Sequence, residues 1–156
     1  MTTSTSTSTL NSIAGCGLCD TDGGTLVFRN ERLRVIHCAE AGFPAFYRVV
    51  WNAHAAEFSD LSADERAECM NAVVVVEQAL REQLAPTKIN LAALGNMVPH
   101  LHWHVIARFD WDGHFPAPVW AAAQREAPGD KLAGVAAACG KVSELIAARM
   151  ALTTSA

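Results

Sequence analysis

Three imidazoles stand at alternate positions in His100-Leu101-His102-Trp103-His104-Val105-Ile106. In an extended strand alternate side chains point to one face, so the spacing predicts His100, His102 and His104 side by side, with Leu101, Trp103 and Val105 turned to the core. Random placement of the chain's histidines would give this alternation only about 0.009 times. Imidazoles a few ångströms apart oppose one another's protonation, which leaves at least one as a free base at neutral pH. A free imidazole whose second nitrogen is held by a hydrogen bond is a nucleophile or a general base. Metal catalysis is the other use of such a cluster. A His-x-His metal site usually has a glutamate a few residues on, however, and between Val105 and Asp110 the only acid is Asp110 itself.

A second constellation is Cys16-Gly17-Leu18-Cys19. Two cysteines at this spacing suit redox exchange or metal binding. Redox use is the weaker reading, because a thioredoxin-like motif sits between a strand and a helix and this pair precedes a Gly-rich turn. The other cysteines, Cys38, Cys69 and Cys139, read as small buried apolar residues. An odd total of 5, in a chain whose first nine residues are a Thr/Ser run and not a secretory signal, argues against a disulfide framework. A cytoplasmic location is the expectation.

These residues need elements to position them. Leu26-Val27-Phe28 and Leu33-Arg34-Val35-Ile36 read as a hairpin, and Phe46 to Trp51 as a third strand with His54 just beyond it. Ser62-Ala63-Asp64-Glu65 has the spacing of a capping box, so a long amphipathic helix should run from there until Ala85-Pro86 stops it. Lys88 to Leu94 and Leu101 to Phe109 read as strands around a Gly95-Asn96 turn. An ordered loop carrying Trp111, His114 and Phe115 follows, then an alanine-rich helix from about Gly129 to Met150. The pattern is α+β: an antiparallel sheet, one long central helix and a C-terminal helix. Residues 1–12 are expected to form a disordered tail, with residues 13–156 as one domain.

Composition narrows the function. A chain of 156 residues, 51% hydrophobic and 18% charged, suits a single globular domain, and no apolar run approaches membrane-spanning length. The net charge of −4 leaves no broad basic face for a nucleic-acid backbone, so an anionic ligand would need a local pocket.

The segment from His100 to Ile106 resembles the His-φ-His-φ-His-φ-φ signature of the histidine triad (HIT) family of nucleotide hydrolases and transferases. The likeness continues through Phe46 to His54, Asp60-Leu61-Ser62, Lys88 to Leu91 and Gly95-Asn96. It covers about residues 15–112 and looks nearest to the bacterial branch related to diadenosine polyphosphate hydrolases. The resemblance implies a HIT-like fold, a homodimer, a nucleotide substrate and no organic cofactor, with neither nucleic acid nor membrane as partner. It makes His100, His102 and His104 the catalytic triad. His102 would attack the α-phosphorus of a purine nucleoside (di)nucleotide or phosphoramidate, and His104 would contact phosphate oxygen. Asn90 and Asn96 would bind nucleotide. Cys16, Cys19, His54 and His100 would hold a structural zinc ion, and His114 and Trp120 would line the pocket mouth of a dimer partner. His37 has no assigned role.

Two departures stand out. Met97, Val98 and Pro99 offer no hydroxyl where many relatives have one for the leaving group, and Phe46 replaces a histidine that supports the nucleophile in several. They leave open an alternative of another class, a zinc-stapled nucleotide sensor or adaptor with little or no turnover.

Overall fold

The computed structural model describes residues 11–153. Five strands, β1 (Thr25–Arg29), β2 (Leu33–His37), β3 (Phe46–Trp51), β4 (Lys88–Ala92) and β5 (His102–Arg108), form one sheet in the order β1-β2-β3-β5-β4, with every pairing antiparallel. The hairpin, the third strand and the α+β class are as the sequence predicts. Strand alternation divides the side chains into two sets. Leu33, Val35, Tyr47, Val49, Trp51, Val105 and Ala107 enter the main core. Ile36, Arg48, Val50, His102, His104 and Ile106 follow the opposite register.

Both long helices cover the first set. The helix Ala63–Leu84 (α2, after a short α1 at Gly17–Asp20) begins at Ser62, whose side chain accepts from the Glu65 N–H while the Glu65 carboxylate accepts from the Ser62 N–H. It ends at Ala85, whose left-handed φ of 44° and following Pro86 cannot continue the helix. Helix α3 (Gly129–Thr153) buries Val135, Cys139, Val142, Ile146 and Met150 at spacings of three and four, the stripe that lets a helix lie on a sheet. The Tyr47 hydroxyl ties α3 to β3 by donating to the Cys139 carbonyl at 3.1 Å.

Several boundaries differ from the sequence reading, among them β5 ending at Arg108 and not Phe109, and α3 running on to Thr153. Strand β4 stops at Ala92, two residues before the expected end. Strand β5 starts at His102, because Leu101 is already engaged outside the ladder, its N–H donating to the Ala55 carbonyl and its carbonyl accepting from Trp51. His100 therefore lies in the turn that Pro99 enforces, its N–H donating to the Val98 carbonyl at 2.8 Å. Asn11, placed in the tail by composition, exchanges two hydrogen bonds with the His54 backbone. Residues 1–10 lie outside the described part. No helix among the described residues is long and apolar enough to cross a membrane.

Beyond β5 a buried ion pair organises the loop. The Arg108 guanidinium, 1% exposed, donates two bonds to Asp112 and one to the Ala117 carbonyl, while Asp112 accepts from the His114 and Phe115 N–H groups. Burial alone would raise the Asp112 carboxyl, but these donors outweigh it and hold the group below its ordinary value. Asp112→Ala would leave a charged guanidinium buried without its partner, at a cost of about 3–5 kcal/mol. Urea unfolding of the variant should show that loss, and a change under ~1 kcal/mol would mean that Arg108 finds other acceptors.

Candidate functional site

Two clusters meet at His100. Its side chain is fully buried and its Nε2 lies 2.6 Å from the Trp51 carbonyl oxygen. A carbonyl only accepts, so Nε2 carries the proton and Nδ1 presents a lone pair. That lone pair faces sulfur: Nδ1 is 3.5 Å from Cys16 Sγ and 3.4 Å from Cys19 Sγ, and His54 Nδ1 is 3.4 Å from Cys19 Sγ. The four ligand atoms all lie within 4.8 Å of one another. In a zinc tetrahedron with ordinary Zn–S and Zn–N bonds the S···N edges are about 3.6 Å. The observed edges match that figure, and the donor set of two thiolates and two imidazoles is one that zinc takes in closed, structural sites. The residues present therefore fit a structural zinc ion, and the Trp51 carbonyl is the outer partner that fixes the ring of a ligand histidine.

The backbone assembles the ligands from three regions. Helix α1 is the local solution to the Cys pair: the Cys19 and Asp20 N–H groups both donate to the Cys16 carbonyl, which folds the two thiols onto one side. Arg34, 3% exposed, then bolts this turn to the sheet. Its guanidinium donates to the carbonyls of Leu18 at 2.6 Å and Asp22 at 3.1 Å, and to Asn52 Oδ1 at 3.2 Å. Arg34 is a functional residue without a motif; its one signal in the sequence is a lone cation inside the apolar run Leu33 to Ile36.

The second cluster is the imidazole pair of β5. His102 and His104 project from β5 with ring centroids 4.8 Å apart. The expectation of three imidazoles on one strand face thus becomes two on the strand, with the third in the preceding turn and its ring 5.1 Å from that of His54. His102 Nδ1 lies 2.6 Å from the His100 carbonyl oxygen, so it carries the proton and Nε2 keeps the reactive lone pair. Burial lowers the proton affinity of both rings. His104 falls to about 4, through burial first and then the positive charges of His102 and Arg48. Phe46, on the neighbouring strand, sets its ring edge-on to His104 at 5.2 Å.

A cleft of about 500 Å³ opens on these imidazoles, a volume suited to a small-molecule ligand. Arg48, Leu94, Asn96 and Val98 line it together with His102 and His104. Asn96 is thus placed at the cleft. Asn90 is not among the lining residues; its Oδ1 accepts from Arg108 at 2.8 Å. Thr21 brings a hydroxyl to the cleft from the metal-binding turn, but donates its proton to the Gly17 carbonyl at 2.7 Å. Trp120 stands 6.4 Å from the His104 ring within the same chain, and His114 packs on Phe43. His37 stacks on Tyr47 with its Nε2 2.7 Å from the Pro44 carbonyl, which is a packing role. Arg48 is the functional residue that sequence reasoning passed over. It pairs with His104 across β3 and β5, and strand alternation applied to Phe46, Arg48 and Val50 would have found it.

An antiparallel α+β sheet that presents neutral imidazoles and one guanidinium to a cleft defines a histidine-centred site for an anionic ligand. The HIT domain model matches residues 22–111, more than half of the chain, and the protein belongs to the HIT family. A histidine triad protein from Bradyrhizobium japonicum is 30% identical, with 77% of this chain and 90% of that one covered at a TM-score of 0.62. One from Marinobacter aquaeolei VT8 is 26% identical, covering 81% and 93% at a TM-score of 0.63. A zinc-bound histidine triad family protein from Mycobacterium smegmatis shares the fold at 17% identity, covering 90% and 94% at a TM-score of 0.54. Among curated proteins no relative matches the chain.

Two outcomes follow from this geometry. Cys16→Ser and Arg34→Met should each lower the zinc bound per chain, the first toward zero, as read by elemental analysis after desalting; unchanged metal content in Cys16→Ser would refute the site. His104, neutral in the fold and titrating at about 4 instead of 6.5, makes the native state bind fewer protons than the unfolded state between those values. Stability is therefore lost as pH falls through that window, by about 3 kcal/mol from this residue. In urea unfolding at pH 7 and pH 4, His104→Gln should lose less stability than wild type, and equal losses would exclude His104 as the group responsible.

Proposed function

We propose that the protein is a nucleotidyl hydrolase or transferase that cleaves at the α-phosphate of a purine nucleoside (di)nucleotide or phosphoramidate through a nucleotidyl-His102 intermediate. The relation to diadenosine polyphosphate hydrolases belongs to this proposal. The observation that carries it is the bond from His102 Nδ1 to the His100 carbonyl, because it aims a neutral Nε2 lone pair outward from a rigid strand. In the first step Nε2 forms a bond to the α-phosphorus and the bond to the leaving group breaks, its electron pair departing with the leaving group. The imidazole becomes cationic while Nδ1 keeps its proton, and the His100 carbonyl stabilises that charge. Water then attacks the same phosphorus, the P–Nε2 bond breaks with its electron pair returning to Nε2, and the mononucleotide leaves carrying the water's oxygen while the surplus proton passes to solvent. His104 would bind a non-bridging oxygen, and Asn96 would orient the nucleotide from the cleft wall. Asn90 would do so through its NH₂ group, since Arg108 occupies its oxygen.

A zinc ion held by Cys16, Cys19, His54 and His100 would supply no step; it would fix His100, whose carbonyl accepts from His102, and the zinc-bound relative from Mycobacterium smegmatis supports its presence. A homodimer is part of the proposal: β4 is an edge strand, and Leu91, Leu94 and Met97 on and beyond it are exposed, Met97 at 93%. The second reading, a nucleotide sensor or adaptor with little or no turnover, is favoured by the apolar Val98 at the cleft and by the committed Thr21 hydroxyl, which leave no free hydroxyl among the described lining residues to protonate a basic leaving group.

Nucleotides labelled at the α-phosphate separate the two. After rapid quenching into alkaline denaturant, wild type should carry label and His102→Ala should not. Binding without label, across adenosine and guanosine dinucleotides and phosphoramidates, would overturn the enzyme reading in favour of the sensor.

A further inference from the structure

Arg48 is the cation of the cleft, and its surroundings are unusual for a structural arginine. Arg34 and Arg108 are buried and spend their donors on several protein oxygens each. The Arg48 side chain is 22% exposed, and its recorded bond is one from Nη2 to Glu40 Oε1 at 3.3 Å, with that carboxylate itself half exposed. Its Nε is buried with no partner, as is Nδ1 of His104, its neighbour across the strand pair. A guanidinium has five N–H donors in a planar fork matched to phosphate oxygens. Here most of that fork is unspent beside the two imidazoles, on a guanidinium steadied by the Phe46 ring at 5.4 Å.

The chemistry of departure runs the same way. A phosphate or polyphosphate leaves as a stable anion and needs no proton, whereas an amine leaves poorly unless nitrogen is protonated. Among the described residues that line the cleft none is a free acid: the Thr21 proton is given to Gly17, and Met97 and Val98 are apolar. Charge stabilisation is the remaining means of helping a leaving group, and Arg48 is the group that supplies it.

The geometry points to Arg48 as the residue that selects substrates whose leaving group is itself anionic, a phosphate anhydride chain, over those that release a neutral group. Glu40 acts as its latch. An exposed ion pair at 3.3 Å is weak and screened, so an incoming phosphate oxygen displaces the carboxylate and occupies the fork in its place. This assignment deepens the nucleotidyl-transfer reading of the same cleft and rests on it.

The decisive measurement is a ratio: kcat/KM for a P1,P4-dinucleoside tetraphosphate divided by that for an adenosine phosphoramidate of an uncharged amine. Arg48→Met should reduce the ratio roughly 10- to 100-fold, the loss of one or two charged hydrogen bonds. Arg48→Lys, which keeps the charge without the fork, should fall between the two. Glu40→Ala should raise apparent affinity for the tetraphosphate a few-fold by removing the competitor. A ratio unchanged in Arg48→Met, with both substrates slowed alike, overturns the assignment. Inorganic triphosphate, titrated calorimetrically into the full chain, separates this inference from the turnover reading. If neither substrate is cleaved but triphosphate binding weakens at least tenfold in Arg48→Met and tightens in Glu40→Ala, the anion assignment stands and the hydrolase reading falls. Triphosphate binding equal in all three chains overturns it.

Discussion

The hydrogen bond between His100 Nε2 and the Trp51 carbonyl is the constraint on which the rest of the site depends. It is short, fully buried and donated to an atom that belongs to the end of β3. By fixing which nitrogen bears the proton, it turns the other toward the cysteine pair, and by fixing the residue it places the carbonyl that accepts from His102. One residue thus serves two clusters with different atoms: side-chain nitrogen for the cysteine and histidine cluster, main-chain oxygen for His102. The cysteine-bearing turn and the His102 imidazole are thereby coupled through one residue.

Much of this was legible in the sequence because the relevant periodicities are local. Alternation placed Leu101 and Val105 in the core and His102 and His104 together, and Ser62 with Glu65 marked the start of α2 to the residue. What alternation could not supply was the end of the strand. His100 continues the pattern in sequence but leaves it in space, because Pro99 and the bonds of Leu101 to Ala55 and Trp51 draw the chain into a turn. The ligand set came from the family resemblance, and the four side chains meet as it implied. The arginines were harder. Arg34, Arg48 and Arg108 each sit where a strand reads as apolar, and their partners, main-chain carbonyls for Arg34 and loop carboxylates for Arg48 and Arg108, lie outside the strands whose alternation was being read.

The acidic balance of the chain acquires a local meaning. With a net charge of −4 the surface does not attract anions in general, so selectivity for one anionic ligand has to be made inside the cleft. The three arginines of the sheet's histidine face divide that work by how far their donors are spent. Arg34 is consumed in holding the cysteine turn, Arg108 in holding Asp112 and Asn90, and Arg48 keeps most of its fork available. A uniformly basic cleft would bind many phosphates indifferently; one open guanidinium beside neutral imidazoles distinguishes them by where their charge lies.

The cysteine and histidine staple also has a topological side. Cys16 and His100 are separated by 84 residues, with His54 between them, so closing this cluster draws most of the folded chain into loops. Constraining a loop of that length removes unfolded-state entropy worth about 4–5 kcal/mol in the chain-entropy model. Oxidation of Cys16 and Cys19 to a disulfide would close only the short turn between them, worth about 2 kcal/mol in the same model. The same two sulfur atoms would therefore be a long-range cross-link when they bind zinc as thiolates and a merely local one when oxidised to each other.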